Sequence, residues 1–162
     1  MGHKIKLSPK SSSIITQWLR TMKKNTLTAA FKELRKKGFI ARQNYLCCQS
    51  CAGCQIAMDI GKMKTEGKEV KGCVYYHRQD AEDRKNGIRK YDKNGKYVGM
   101  CHDFHLAYGN VDNSEHGTIG LPTVEVGKIV CETLAKFGIE TKWNGSENER
   151  ILVIENTIRN LE

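Results

Sequence analysis

Four of the seven cysteines lie within eight residues, at Cys47, Cys48, Cys51 and Cys54. The run contains two overlapping Cys-x-x-Cys pairs, Cys48 with Cys51 and Cys51 with Cys54. Such spacing suits zinc, because a tight turn can present two thiolates to one ion at about 2.3 Å. It also suits redox chemistry, because a reactive thiolate needs a resolving thiol within reach. The spacing therefore indicates metal or redox chemistry rather than small buried hydrophobic residues.

A structural zinc site takes four ligands, and one turn cannot easily present them all. Cys73 and His77 are predicted to share one face of a following strand, because alternate strand residues point the same way. We therefore predict that zinc ligands are drawn from six residues: Cys47, Cys48, Cys51, Cys54, Cys73 and His77. If no metal is bound, Cys51 is expected to be a low-pKa thiol paired with Cys48.

The elements that position the cysteines follow from the spacing of apolar residues. A strand over 39–46 is predicted to lead into the run, and a helix capped by Ser50 is predicted to follow it, ending at Gly67. This assignment places Cys51 and Cys54 in the first turn of the helix. Free N–H groups and the helix dipole favour a thiolate there.

The rest of the chain predicts an α/β or α+β fold, a mixed sheet of about five strands with packed helices. Residues 1–12 are expected to be a basic flexible tail, and 13–162 one domain. Within that domain, 13–38 is predicted to be a helical hairpin and 39–162 a sheet core carrying the cysteine motif. Further strands are predicted at 73–77, 100–108, 139–143 and 150–154, helices at 79–86, 122–138 and 155–162, an Asn-Gly hairpin at 94–95 and a loop at 109–120.

The positive charge of the chain is concentrated at one end. Residues 1–46 hold eleven Lys or Arg and one acid, a balance of +10, whereas the remaining residues balance at −1. Such asymmetry is typical of proteins that bind nucleic acids or other anionic partners, although a solvated face explains it equally well. The candidate phosphate-binding residues on the predicted hairpin are Arg20, Lys23, Lys24, Lys32, Arg35, Lys36 and Lys37.

Targeting features are not evident in the sequence. No apolar run approaches the length of a membrane span, and the first residues lack the apolar region of a secretory signal. An odd number of clustered cysteines favours a reducing compartment over a disulfide framework. We therefore expect a cytoplasmic protein with no membrane partner.

Several motifs together resemble a bacterial family of uncharacterised domains with the signature Asn-aromatic-x-Cys-Cys-x-x-Cys, here Asn44 to Cys51. The resemblance covers about 27–154. Its other motifs are Ala30-Phe31-Lys32-Glu33-Leu34, Val74 to Asp80, Leu106 to Gly109, Val126-Gly127, Trp143-Asn144-Gly145 and Arg150-Ile151. It implies an architecture and a candidate site, but no reaction. The implied site residues are Cys47, Cys48, Cys51, His77, Gln79 and Asp80.

The sequence is compatible with three functions. The first is a non-enzymatic binding module organised by zinc that acts on an anionic partner such as a nucleic acid. The second is a thiol-disulfide enzyme that uses Cys48 and Cys51. The third is a protein-interaction or regulatory domain whose cysteines are structural.

Overall fold

The computed structural model describes residues 26–155. The expected tail at 1–12, the predicted helix at 13–24 and nearly all of the predicted helix at 155–162 lie outside this range. The candidate phosphate-binding residues Arg20, Lys23 and Lys24 lie outside it as well.

Four helices and nine strands form within residues 26–155. The helices are α1 (26–36), α2 (Gln49–Thr65), α3 (Arg78–Asn86) and α4 (Thr123–Lys136). The strands are β1 (Phe39–Arg42), β2 (Gly72–Tyr75), β3 (Ile88–Tyr91), β4 (Tyr97–Cys101), β5 (Phe104–Gly109), β6 (Val111–Asn113), β7 (Gly117–Ile119), β8 (Thr141–Lys142) and β9 (Ile151–Val153).

The main sheet has five strands in the order β1-β2-β5-β9-β8. Strands β1 and β2 are parallel, and each remaining neighbouring pair is antiparallel. Two separate hairpins, β3–β4 and β6–β7, are attached to it. The fold is α+β with a mixed five-stranded sheet, which confirms the predicted class.

Helices cover both faces of the sheet, as the alternation of side chains along β2 shows. Val74 belongs to one core with residues of α1 and α4, including the fully buried Phe31 and Leu134. Tyr75 belongs to a second core with residues of α2, including the fully buried Ile56. Each fully buried side chain of this size contributes about 1.5–3 kcal/mol to folding, so both cores stabilise the sheet that carries the cysteines.

Two predictions about the middle of the chain were wrong. The strand predicted over 100–108 is broken at His102, whose Nδ1 lies 2.8 Å from the carbonyl oxygen of Arg84 near the end of α3. As a result, β4 and β5 belong to different sheets. The loop predicted at 109–120 instead contains the β6–β7 hairpin.

Candidate functional site

The cysteine run lies at one edge of the main sheet, where β1 and β2 both end. Because these strands are parallel, their carboxyl ends meet at the same edge, and α2 and α3 follow them there. Ligands of α/β sheets commonly bind outside the carboxyl ends of parallel strands. The edge also carries two helix starts, which offer backbone N–H groups and the positive end of a dipole.

The segment between β1 and α2 is held by backbone hydrogen bonds. Tyr45 N–H donates to the carbonyl oxygen of Tyr76 at 2.9 Å, and Arg78 N–H donates to that of Leu46 at 3.0 Å. Leu46 has a φ of 56°, a left-handed conformation that costs a non-glycine residue about 1–2 kcal/mol. The predicted strand therefore ends early, at Arg42, and the cysteines begin in a fixed, strained loop.

Three thiols converge in this loop. The sulfur atoms of Cys47, Cys48 and Cys51 all lie within 4.8 Å of one another, and those of Cys47 and Cys48 are 3.7 Å apart. Cys47 and Cys51 are exposed, Cys48 is half-buried, and none forms a disulfide. Thiolates are the ligands preferred by Zn²⁺ and Cu⁺, and three of them leave one tetrahedral position open. The donor chemistry of this thiol cluster therefore fits a metal ion.

The position of Cys48 at the start of α2 makes the three thiols unequal. The backbone N–H of Cys51, followed by the neighbouring thiols, lowers the pKa of Cys48 below its ordinary value. The adjacent thiols of Cys47 and Cys48 raise the pKa of Cys51 to about 11. Negative charge therefore forms on Cys48 before it forms on Cys51, because the N–H groups of the helix start stabilise it there.

The structure corrects two predictions about this turn. Helix α2 begins at Gln49, so its N-cap is Cys48 rather than Ser50, and the Cys48 side chain makes no capping hydrogen bond. The thiol with the lowered pKa is Cys48, whereas the sequence prediction assigned this role to Cys51. Cys54 is the sixth residue of α2, so it lies beyond the first turn in which we placed it.

Side chains close the neighbouring start of α3. His77 is the N-cap, and its Nδ1 accepts the N–H of Asp80 at 3.4 Å while the Asp80 carboxylate accepts the N–H of His77 at 3.3 Å. His77 Nε2 also lies 3.1 Å from this carboxylate. Both ring nitrogens of His77 therefore face Asp80, which leaves neither directed at the thiol cluster.

Arg150 completes this buried cap from the far end of the chain. Its two terminal nitrogens donate to the Asp80 carboxylate at 2.7 and 3.2 Å, and one of them also donates to the carbonyl oxygen of His105 at 2.9 Å. Sequence reasoning did not include Arg150 among the site residues. The available signal was the Arg150-Ile151 motif, which pointed to the position but not to its contact.

The structure does not bring the other predicted metal ligands into the thiol cluster. Cys73 is buried in β2, where desolvation raises the pKa of its thiol to about 12. Cys54 is exposed on α2, and both residues line a surface cavity of about 440 Å³ together with Tyr75. Gln79 is exposed in the first turn of α3. Of the six predicted ligands, three converge and Cys54, Cys73 and His77 lie apart from them.

Four candidate phosphate-binding residues lie within the described range, at Lys32, Arg35, Lys36 and Lys37. Arg35 Nη1 donates to the carbonyl oxygen of Ala41 at 3.0 Å. Lys37 Nζ donates to the buried Thr133 hydroxyl at 2.7 Å. Lys36 lies 3.7 Å from a Glu33 carboxylate oxygen. Three of the four thus contact the protein itself, while Lys32 is exposed.

Residues from three other motifs of the family resemblance, Gly127, Trp143 and Tyr108, pack against one another. A Cβ atom at Gly127 would lie 2.7 Å from the Trp143 ring and 2.8 Å from the Tyr108 ring. These rings pack edge to face with centroids 5.6 Å apart, and both donate to the carbonyl oxygen of Ser146. Glycine is needed at 127 because any side chain would displace the two rings. These motif residues hold α4 against the sheet rather than forming a site.

Together, the fold and the thiol cluster define an α+β domain with a candidate metal site at the edge of its sheet. The chain belongs to the family described as "Domain of unknown function (DUF6891)", whose model matches residues 12–159. This result confirms the family resemblance drawn from the motifs. No curated protein and no solved structure matches the chain. Within residues 26–155, no helix combines the length and apolar character required to cross a bilayer.

Proposed function

We propose that the domain is a zinc-binding module in which Cys47, Cys48 and Cys51 hold the ion. The observation that supports this best is the convergence of three free thiols within 4.8 Å. Bound zinc supplies a positive centre that neutralises the thiolates and accepts one further ligand. A water molecule or a side chain of a partner would occupy that position, because His77 faces Asp80 instead.

The thiols compete with protons for the metal, and this determines the pH dependence. Cys48 gives up its proton before Cys51 because the N–H groups of the helix start stabilise its thiolate. Cys51, with a pKa of about 11, must release a proton when metal binds at neutral pH. Zinc affinity is therefore expected to rise with pH and to fall as the solution becomes acidic.

Metal analysis of protein purified without added zinc tests this proposal, together with titration by Co²⁺ followed through thiolate absorption. We expect one ion per chain. Cys48→Ser should weaken binding by more than the roughly 10–100-fold that loss of an outer partner typically causes. The matched control is Cys54→Ser, which removes an exposed thiol outside the cluster and should bind as the wild type. Equal binding by the Cys48 and Cys54 variants would reject the proposal.

A second candidate function is thiol-disulfide exchange, and the lowered pKa of Cys48 favours it. In this reaction the Cys48 thiolate attacks a substrate disulfide and releases one substrate thiolate. The Cys51 thiol, after losing its proton, then attacks the mixed disulfide, which releases the second substrate thiol and leaves a Cys48–Cys51 disulfide. Mass analysis after mild oxidation tests this function. Absence of a Cys48–Cys51 bond under these conditions would exclude it.

We further propose that the N-terminal basic region binds the predicted anionic partner. Contact with duplex DNA would lower the logarithm of affinity by about 0.9 per phosphate contact for each tenfold rise in salt. Reversal of Lys23, Lys24, Lys32 and Lys36 to Glu should then abolish binding. Lys37 is left intact because it donates to the buried Thr133. No salt-sensitive binding by the wild type would favour the protein-interaction function.

A further inference from the structure

The β3–β4 hairpin stands apart from the main sheet. Within residues 26–155, its two strands pair only with each other. Every residue from Ile88 to Val98 is exposed, and the bordering Gly87 and Gly99 are half-buried. Isolated two-stranded hairpins are only marginally stable in water. Exposed apolar side chains here therefore call for an explanation beyond the stability of the fold.

Two tyrosines form the apolar surface of the hairpin tip. Tyr91 and Tyr97 are register partners on opposite strands, and their rings pack edge to face with centroids 6.0 Å apart. They are 56% and 52% exposed, whereas Tyr75 and Tyr76 in the core are about 5% exposed. Their aromatic surface is thus available to a flat ligand from solution.

Positively charged residues flank the two tyrosines along the chain. Residues 88–98 contain Arg89, Lys90, Lys93 and Lys96 but one acid, Asp92. The Asp92 Oδ1 atom accepts the backbone N–H groups of Asn94 and Lys96 at 2.8 and 3.0 Å, so it is committed to the turn. Lys90 lies 3.7 Å from an Asp103 carboxylate oxygen. Arg89 is exposed two residues before Tyr91 on the same strand, and the pairing register shifts between Lys90 and Tyr91.

The charge of the chain itself indicates what kind of molecule covers this tip. Residues 1–25 contain six Lys or Arg and no acid, and the whole chain has a net charge of +9. The N-terminal segment does not complement a basic hairpin, and a second copy of the chain carries the same net charge of +9. An anionic partner does, and exposed aromatic rings beside cations are the combination that binds single-stranded nucleic acids.

We propose that the β3–β4 tip binds single-stranded nucleic acid. Bases stack on Tyr91 and Tyr97, while Arg89, Lys93 and Lys96 contact the phosphates. Single strands fit this role better than duplexes because their base faces are free to stack. The surface is separate from the thiol cluster, so the interaction does not depend on the proposed metal.

Fluorescence anisotropy of the full chain with a short labelled oligo(dT) tests the stacking contact. Tyr97→Ala should weaken binding at least about fivefold, the lower end of the effect known for loss of one aromatic platform. Tyr97→Phe keeps the ring and should bind as the wild type. Thermal unfolding of each variant checks that the fold is unchanged. Equal affinities for the Ala and Phe variants would overturn the proposal.

The charge contact is tested by the salt dependence of the same binding. Lys93→Glu with Lys96→Glu should reduce the slope of log affinity against log salt by about 1.4, since each single-strand contact contributes about 0.7. The matched control is Lys128→Glu with Lys142→Glu, which changes the net charge equally on exposed sites of α4 and β8. An equal loss in both pairs would contradict a site at the tip. So would no binding by the wild type, or binding to anionic lipid vesicles instead of oligo(dT).

Discussion

Helices α2 and α3 start at the same edge of the sheet, but side chains cap only the start of α3. The start of α3 is closed by His77, Asp80 and Arg150, with the Asp80 carboxylate in contact with both other side chains. The start of α2 has Cys48 at its N-cap without a side-chain capping hydrogen bond, and the thiols of Cys47 and Cys51 beside it are exposed. A helix start closed by side chains adds stability, whereas an open one leaves N–H groups available to a thiolate or a ligand.

The largest effect should follow from opening the start of α3. Asp80→Ala removes the cap and leaves Arg150 and His77 without their carboxylate, so we expect the free energy of unfolding to fall by about 3 kcal/mol. Urea denaturation measures this change. Asp83→Ala, an exposed position on the same helix, is the control and should change stability by less than about 0.5 kcal/mol. If Cys48→Ala destabilised the protein as much as Asp80→Ala, the contrast between the two helix starts would fail.

A smaller effect is expected in the alkylation rates of two thiols at the start of α2, Cys48 and Cys51. At neutral pH, the lowered pKa of Cys48 and the pKa of about 11 of Cys51 leave Cys51 far less ionised than Cys48. The more basic thiolate is intrinsically more nucleophilic, which reduces the expected difference in alkylation rate to about tenfold. Iodoacetamide labelling of the reduced protein, followed by peptide mass analysis, measures both rates. Labelling of Cys48 should set in at a lower pH than that of Cys51, whose pKa is about 11. Faster labelling of Cys51 would reverse the assignment of the thiolate.

The smallest effect should come from closing the start of α2. Cys48→Asp supplies the missing cap and a negative charge at the helix start, so it should raise the free energy of unfolding by about 1 kcal/mol. The same change should abolish metal binding by the thiol cluster. Cys54→Asp is the control, since the sixth residue of α2 cannot cap it and no gain is expected. A destabilised Cys48→Asp protein would show that the cysteine at this position is required by the fold.

The helices and their ends could be predicted because they depend on local spacing. Helix α1 lies within the helical hairpin predicted over 13–38, and Gly38, Gly67 and Gly138, at the predicted helix ends, follow α1, α2 and α4 with positive φ. The break between β4 and β5 could not be predicted in this way. It depends on His102 reaching the end of α3, a contact across the fold that no periodicity records.

The candidate site shows the same contrast between features set by local spacing and contacts made across the fold. Cys47, Cys48 and Cys51 meet because one turn of chain holds them, so their spacing was sufficient to predict their approach. The positions of Cys73 and His77 depend on which face of β2 is buried and on how α3 is capped. Arg150 is 70 residues from Asp80, and such a partnership follows from sheet order rather than from sequence spacing. Long-range side-chain pairing is therefore the part that sequence reasoning could not supply.

The compactness of the thiol cluster along the chain has a consequence for folding. All three sulfur ligands lie within five consecutive residues, so an unfolded chain keeps them almost as close together as the native one. A ligand stabilises a protein only to the extent that it prefers the native state. Metal captured by residues 47–51 would therefore also bind the unfolded chain, and it would favour the native state mainly through the helix start that stabilises the Cys48 thiolate. Metal occupancy of this loop can therefore follow the concentration of free ions, while the rest of the domain stays folded whether or not an ion is bound.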